Sequence, residues 1–340
     1  MTISDLSKKI GLSTATISRA LNNESNVTEE TKRIVLEAVK TFGYVPKTTR
    51  CKSKNKVNDM VMIITGSLTN PVHLNLVTGI ETELAESGKH AVVVQTNYKE
   101  DLQTRFLQYA VQMKFSCIMI LNAIENSSLI RFLNDPVSPL VIFVNRAPVS
   151  VEVESVTMDN FRSGTIAARK LVENGHSRIM VLSGPEDSTV CNDRIQGFRS
   201  ELEKQGISFN SKAVFHGDRS YEYGLSVGNT IAGLPQDLRP TGVYCLSGTM
   251  TEGFLDALSS NDIHVPEDIS IICNDNPNTY FAEKMSVTSI EIDFVQMGVV
   301  AAKRYLEIIN SDDKMKKQIM FMPTIYVRKS IRNIRGDESI

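Results

Sequence analysis

From Val57 onward the 340-residue chain repeats one pattern: a short apolar run, a polar turn, then a stretch with helical apolar spacing. Met60–Ile64, Ala91–Val94, Cys117–Leu121 and Leu140–Val144 form a first series of runs. Ile179–Leu182, Ala213–Phe215, Gly242–Leu246 and Ile269–Cys273 form a second. Helical periodicity lies between them near 76–87, 102–113 and 128–133, then near 162–174, 193–205, 223–231 and 252–260. Uninterrupted apolar runs bounded by helices are what strands buried on both faces look like, so the pattern predicts parallel sheets with helices on either side. Two consecutive series predict two doubly wound lobes with a cleft between them. Ligands of such sheets sit outside the carboxyl ends of the strands. The polar residues expected there are Asn70, Asn145, Arg194 and Asp275. Aspartate accepts, arginine donates in a fork and asparagine does both, which suits a hydroxylated or carboxylated small molecule; each could equally cap a loop.

The first 46 residues follow a different rule. Thr2 and Asp5 have capping-box spacing, and Ile3, Leu6 and Ile10 recur on one helical face before Gly11 stops the turn. Ser13 can cap a second helix whose Ile17 and Leu21 point inward, leaving Thr14, Ala15, Thr16, Ser18 and Arg19 outside. Thr28, ahead of Glu29 and Glu30, opens a third helix with Ile34, Val35, Ala38, Val39 and Phe42 expected inside, and Gly43 ends it. A three-helix unit with a tight glycine turn suits insertion into a DNA major groove, although periodicity alone also fits a plain helical bundle. Arg19 is the one outward residue able to contact guanine O6 and N7 together. Charge supports the nucleic-acid reading. The chain carries −2 overall, but residues 1–56 hold 11 Lys/Arg against 5 Asp/Glu, while the remainder holds 26 against 34. A basic head on an acidic body is expected when one end meets phosphate.

Other classes find little support. Cys51, Cys117, Cys191, Cys245 and Cys273 form no Cys-x-x-Cys pair and read as reduced thiols. No apolar run approaches the ~18–20 residues of a membrane span, so a cytoplasmic protein with no membrane partner is expected. Phosphate-cradling glycine loops, nucleophile elbows and zinc-protease motifs are lacking. His73, His90, His176, His216 and His264 are dispersed, and Asp187, Asp193 and Asp218 have no metal-ligand spacing. No catalytic residue, metal or cofactor is therefore expected.

The head resembles that of LacI/GalR-family transcriptional regulators. Matching pieces are Thr2–Leu6, Gly11–Ser13, Ala15–Asn22, Glu29–Thr31 and Gly43–Pro46. The body is similar to the family's periplasmic-binding-protein-like domain at Asn70-Pro71, Val144–Arg146, Met158–Asn160, Gly175-His176, Arg194, Gly197-Phe198, Val265–Asp268, Gln296–Gly298 and Val327–Ser330. The resemblance implies that Thr14, Ala15 and Arg19 read bases, while Ser13, Thr16, Ser18, Asn22 and Thr28 hold phosphates. It divides the chain into a helix-turn-helix domain (1–46), a hinge (47–59), one lobe of 60–159 plus 291–320 and another of 160–290 plus 321–335. It implies no enzyme but a repressor of a carbohydrate or related operon. Such a repressor binds a near-palindromic double-stranded DNA operator as a homodimer and answers to an effector in the cleft.

Two departures qualify that expectation. The family's hinge carries a leucine wedge for the minor groove; here Arg50-Cys51-Lys52-Ser53 puts Ser53 in its place. Serine lacks the apolar surface that offsets base unstacking, so less operator bending is expected. In the cleft, relatives' Asn-Asp pair becomes Ser247-Gly248, their aromatic pair becomes Val72-His73, and the chain has no Trp. Asn70, His73, Asn145, Arg194, Ser247 and Asp275 are the resulting effector candidates. They leave open a sugar phosphate or another anion held by Arg194 and His73, or no small ligand. A solute-binding module with weakened DNA specificity is the alternative.

Overall fold

The computed structural model describes residues 3–21, 27–42, 59–275, 286–311 and 315–335. Contacts divide the chain into two compact units, Met1–Lys56 and Val57–Ile340. In the first, α1 (Ile3–Ile10), α2 (Thr14–Leu21) and α3 (Glu29–Thr41) enclose Leu6, Ile17, Ala20, Val27, Val35 and Ala38. Gly11 takes φ +67°, the left-handed region that glycine enters without steric cost, and its N–H closes α1 onto the Ser7 carbonyl at 3.0 Å. Ser13 Oγ accepts from Thr16 N (3.1 Å), and Thr28 Oγ1 accepts from Thr31 N (3.3 Å), so local capping chemistry starts α2 and α3. One expectation fails. Ile34 and Phe42 are 43% and 40% exposed, because only the narrow stripe through Val35, Ala38 and Val39 faces the other two helices. The Phe42 ring instead lies 4.5 Å from Lys9 Nζ. Asn22, Gly43 and the hinge positions Arg50 to Ser53 lie outside the described residues.

The second unit holds two six-stranded sheets wound alike. The first contains β1 (Met60–Thr65), β2 (His90–Gln95), β3 (Cys117–Ile120), β4 (Leu140–Asn145), β5 (Glu154–Met158) and β11 (Gln318–Phe321), in the order β11-β5-β4-β3-β1-β2. The second contains β6 (Ile179–Ser183), β7 (Val214–His216), β8 (Gly242–Cys245), β9 (Ser270–Asn274), β10 (Thr288–Glu291) and β12 (Thr324–Tyr326), in the order β12-β10-β9-β8-β6-β7. All described pairings are parallel except β10 with β12. In each sheet the first strand lies between the second and the third. The winding therefore reverses beside β1 and beside β6, and a ligand site is expected outside these two strand ends.

Helices α4 (Pro71–Glu86), α5 (Glu100–Gln112) and α6 (Ser127–Asn134) cover the first sheet. Helices α7 (Asn160–Glu173), α8 (Thr189–Lys204), α9 (Tyr221–Ala232) and α10 (Gly248–Ser260) cover the second, and α11 (Phe294–Asn310) returns to the first. The chain passes between sheets three times, at Asp159, at 292–293 and at 322–323. Several helices begin earlier than their apolar spacing indicates. Asn70, Ser188 and Ser220 cap α4, α8 and α9 through side-chain bonds to Val72, Cys191 and Tyr223 N–H groups. Apolar periodicity appears only after the chain has passed from the polar strand ends onto the sheet. Among the described residues no helix is long and apolar enough to cross a membrane.

Candidate functional site

In the head the polar face of α2 stays outside the small core. Ser13, Thr14, Ala15 and Arg19 are exposed, Thr16 and Ser18 half-buried, while Ile17 and Ala20 are buried. Thr28, at the start of α3, is also exposed. Small polar groups and one guanidinium thus stand together on a helix rigidly seated by its apolar face, as insertion into a major groove demands.

In the body, unpaired polar atoms mark the two winding reversals. Thr65 Oγ1 ends β1, Ser183 Oγ ends β6, and Asn274 Nδ2 and Asp275 Oδ1 follow at the end of β9; all four are buried without a hydrogen-bond partner among the described residues. Such atoms cost free energy unless something satisfies them, so their gathering at carboxyl strand ends is the signature of a binding cleft. Burial pushes the Asp275 carboxyl upward, although the Arg194 charge pulls it back. A hollow of about 600 Å³ runs past the first passage between sheets, with Asn145, Arg146, Asn160, Thr189 and Asp193 on its walls.

The effector candidates divide by what they already hold. Asn70 Oδ1 accepts from Val72 N at 3.0 Å and caps α4. Asn145 ends β4 at φ +70° and lines the hollow. Ser247 occupies the N-cap position of α10 without a side-chain capping bond, and it stays half-buried. Arg194 is 5% exposed, its Nε donates to Asn160 Oδ1 at 2.9 Å and its Nη1 to the Leu246 carbonyl at 3.0 Å. It therefore fastens the first residue of α7 to the end of β8, and the free fork imagined from sequence is half spent. His73 overturns the expectation of a cationic anion contact. It is 3% exposed, its ring lies 6.2 Å from that of Tyr98, and Nδ1 is 3.1 Å from the Ser67 carbonyl, which only the Nδ1–H tautomer can donate to. Burial chiefly pulls the imidazole down to about 4; the Ser67 bond opposes this and the Arg219 charge reinforces it. His73 is neutral at physiological pH.

That shift carries a pH dependence. The folded imidazole resists protonation more than the unfolded one, so its stabilising contribution is present above about pH 6.5 and is lost as pH falls toward 4. The window corresponds to about 3 kcal/mol. Urea midpoints between pH 7 and pH 4.5 should fall more steeply for the native chain than for His73→Gln. Equal slopes would refute the assignment.

Sequence reasoning passed over Arg146 and Arg219. Arg146 directly follows Asn145 in a stretch that already stood out, but only its neighbour was selected. Arg219 sits between β7 and the Ser220 cap of α9, where no local pattern separates it from a solvated loop residue. His176 is buried and joins Thr241 and the Arg332 carbonyl, tying the C-terminal segment down. Cys117, Cys191, Cys245 and Cys273 are buried free thiols, and no group of metal-ligating side chains occurs among the described residues.

A three-helix head of this design, on a chain whose body is a two-sheet binding fold, defines a DNA-binding transcriptional regulator. The family model for bacterial regulatory proteins of the lacI family matches residues 2–47, and that of the periplasmic binding protein-like domain matches residues 168–331. The chain belongs to the LacI family of bacterial regulators. It is 27% identical over 337 residues to the HTH-type transcriptional repressor PurR of Mannheimia succiniciproducens, covering 98% of this chain and 99% of that one. It is 26% identical to PurR of Vibrio vulnificus, with 98% and 99% covered. Its fold is similar to the lac repressor dimer bound to operator and the anti-inducer ONPF, at TM-score 0.78 and 19% identity over 98% of this chain and 99% of that one. The transcriptional regulator CelR in its cellobiose complex gives TM-score 0.72 at 24% identity, over 97% and 99%.

Proposed function

We propose that this protein is a sequence-specific transcriptional repressor. As a homodimer in the cytoplasm it binds a near-palindromic operator through α2, and a small molecule in the cleft between the two sheets controls it. The carrying observation is the division of α2, with Thr14, Ala15 and Arg19 exposed and Ile17 and Ala20 seated in the core. Relatives named as PurR repressors over nearly the whole length, and the operator-bound lac repressor dimer of like fold, support the reading. Two-fold symmetry of the dimer would place two copies of α2 in successive major grooves, so half-sites should lie about one helical turn apart. Thr14, Ala15 and Arg19 would meet base edges; Ser13, Thr16, Ser18, Asn22 and Thr28 would meet phosphates.

The test is selection of bound sequences from a randomised duplex library, followed by fluorescence anisotropy on the winner. Enrichment of a palindrome is expected. Arg19→Ala should then weaken that operator by roughly 1–3 kcal/mol, about 5- to 150-fold, and erase preference at one base pair per half-site. Binding without sequence preference would sink the repressor reading and favour the solute-binding module.

A further inference from the structure

Two guanidiniums in the cleft stand apart from every other arginine there. Arg146 follows β4 of the first sheet, half-buried, and lines the hollow. Arg219 comes from the second, also half-buried, and its backbone is held at φ +66°. Its aliphatic stem lies across Gly184, where an added Cβ would fall 2.6 Å from Arg219 Cδ and Cγ; only glycine after β6 leaves room for it. Among the described residues neither guanidinium has a hydrogen-bonded acceptor or an ion-pair partner, whereas Arg194 has two acceptors.

The fields agree with this placement. The Arg219 charge is felt at His73 and Arg146 of the first lobe and at Asp275 of its own. Asp187 and Glu125 draw on Arg146 at a distance, without reaching it. The neighbouring Asp218 is turned away, accepting from Ser220 N at 2.9 Å. His73, neutral, contributes no charge. Two like charges carried on opposite lobes, one within the field of the other, repel, and an anion held by both would turn that repulsion into attraction. Beside them Asp275 Oδ1 and Asn274 Nδ2, with the Thr65 and Ser183 hydroxyls, are buried and unpaired. A carboxylate acceptor asks for O–H or N–H donors and the Asn274 amide for an acceptor; hydroxyl groups answer both, so a polyol rather than a second anion suits the remainder of the ligand.

We infer that the cleft takes a hydroxylated small molecule bearing one anionic group, phosphate or carboxylate, clamped between Arg146 of one lobe and Arg219 of the other. The inference rests on the regulator reading for the existence of an effector and specifies its chemistry. Arg219 and Arg146, rather than Arg194 and His73, supply the positive charge. Arg194 positions the cleft floor through Asn160 and the Leu246 carbonyl.

Titration calorimetry of the full-length chain would compare glucose, a glucose monophosphate, gluconate and inorganic phosphate, with the pentose equivalents alongside. At least one anionic polyol should bind about tenfold or more tightly than its neutral parent. That affinity should fall about tenfold in Arg219→Gln and in Arg146→Gln, recover partly in Arg219→Lys, and weaken as salt is raised. The preferred anion then separates a phosphorylated from a carboxylated effector, and unchanged melting temperatures separate lost charge from lost fold. Equal affinity for neutral parents, unchanged affinity in both glutamine variants, or no anion bound across the panel would overturn the inference. Operator anisotropy on the same preparations keeps the two readings apart. Operator binding with no anionic ligand rejects the clamp alone; loss of operator specificity with the clamp intact rejects the repressor alone.

Discussion

Arg304→Met should destabilise the Val57–Ile340 unit by about 3–5 kcal/mol, measured by urea unfolding. Arg304, on α11, is 2% exposed, and its Nε and Nη2 donate to Glu154 Oε2 and Oε1 at 3.0 and 2.8 Å. Nη2 also donates to the Met315 carbonyl at 2.9 Å, and Nη1 reaches Glu307 at 3.3 Å. Glu154, 7% exposed at the start of β5, would be left as a buried carboxylate without its fork. The penalty is that of an uncompensated charge, not the net worth of the pair, so the partner should rescue it. Glu154→Leu combined with Arg304→Met should regain most of the loss, because an apolar pair of similar volume is often neutral or better. A loss below about 1 kcal/mol in the single variant would show that the pair is dispensable. The consequence reaches the cleft, since β5 runs directly into Asp159 and the first passage between sheets.

Gly197→Ala should cost about 3 kcal/mol and weaken effector binding together. Helices α7 and α8 meet backbone to backbone through two reciprocal glycines. A Cβ on Gly197 would fall 1.9 Å from the Phe161 carbonyl oxygen, and one on Gly164 would fall 1.8 Å from that of Arg194. Neither atom is the end of a flexible side chain, so the helices must separate. Arg194 lies one turn before Gly197 on the same helix, and separation would stretch its bonds to Asn160 and Leu246. Gly233→Ala provides the comparison. Its nearest atoms are 3.6 Å from an added Cβ and its φ of −70° is ordinary, so stability should hold or rise slightly. Thermal unfolding and calorimetry on both variants decide the matter. A Gly197→Ala protein as stable as the Gly233→Ala protein would contradict the close crossing.

The same residues show where reading the sequence succeeds. Apolar runs such as Met60–Ile64 and Cys117–Leu121 became central strands because both of their faces are covered, and a run with no polar interruption has no other stable place. Thr28, Ser13 and Gly11 set the head's helix ends because capping and positive φ are local properties. Strand β5 was missed for the opposite reason. Its Glu154 looks like a solvent residue until Arg304, 150 positions later, neutralises it. Strands β11 and β12 are edge pieces of four and three residues in which exposed side chains alternate with half-buried ones, so they carry almost no apolar signal.

By itself, then, the sequence determined a three-helix head with one polar exposed face, and two parallel sheets wound alike with a cleft at their carboxyl ends. Those features follow from apolar spacing and capping groups, which act over a few residues. Only the tertiary structure decided which cleft residues are free to bind. Burial made His73 neutral, Asn160 and Leu246 occupied Arg194, Asn70 was taken up by a helix cap, and Arg146 and Arg219, on different lobes, were left without acceptors among the described residues. Charge state and hydrogen-bond occupancy depend on neighbours brought in from distant parts of the chain, and no local pattern records who those neighbours are.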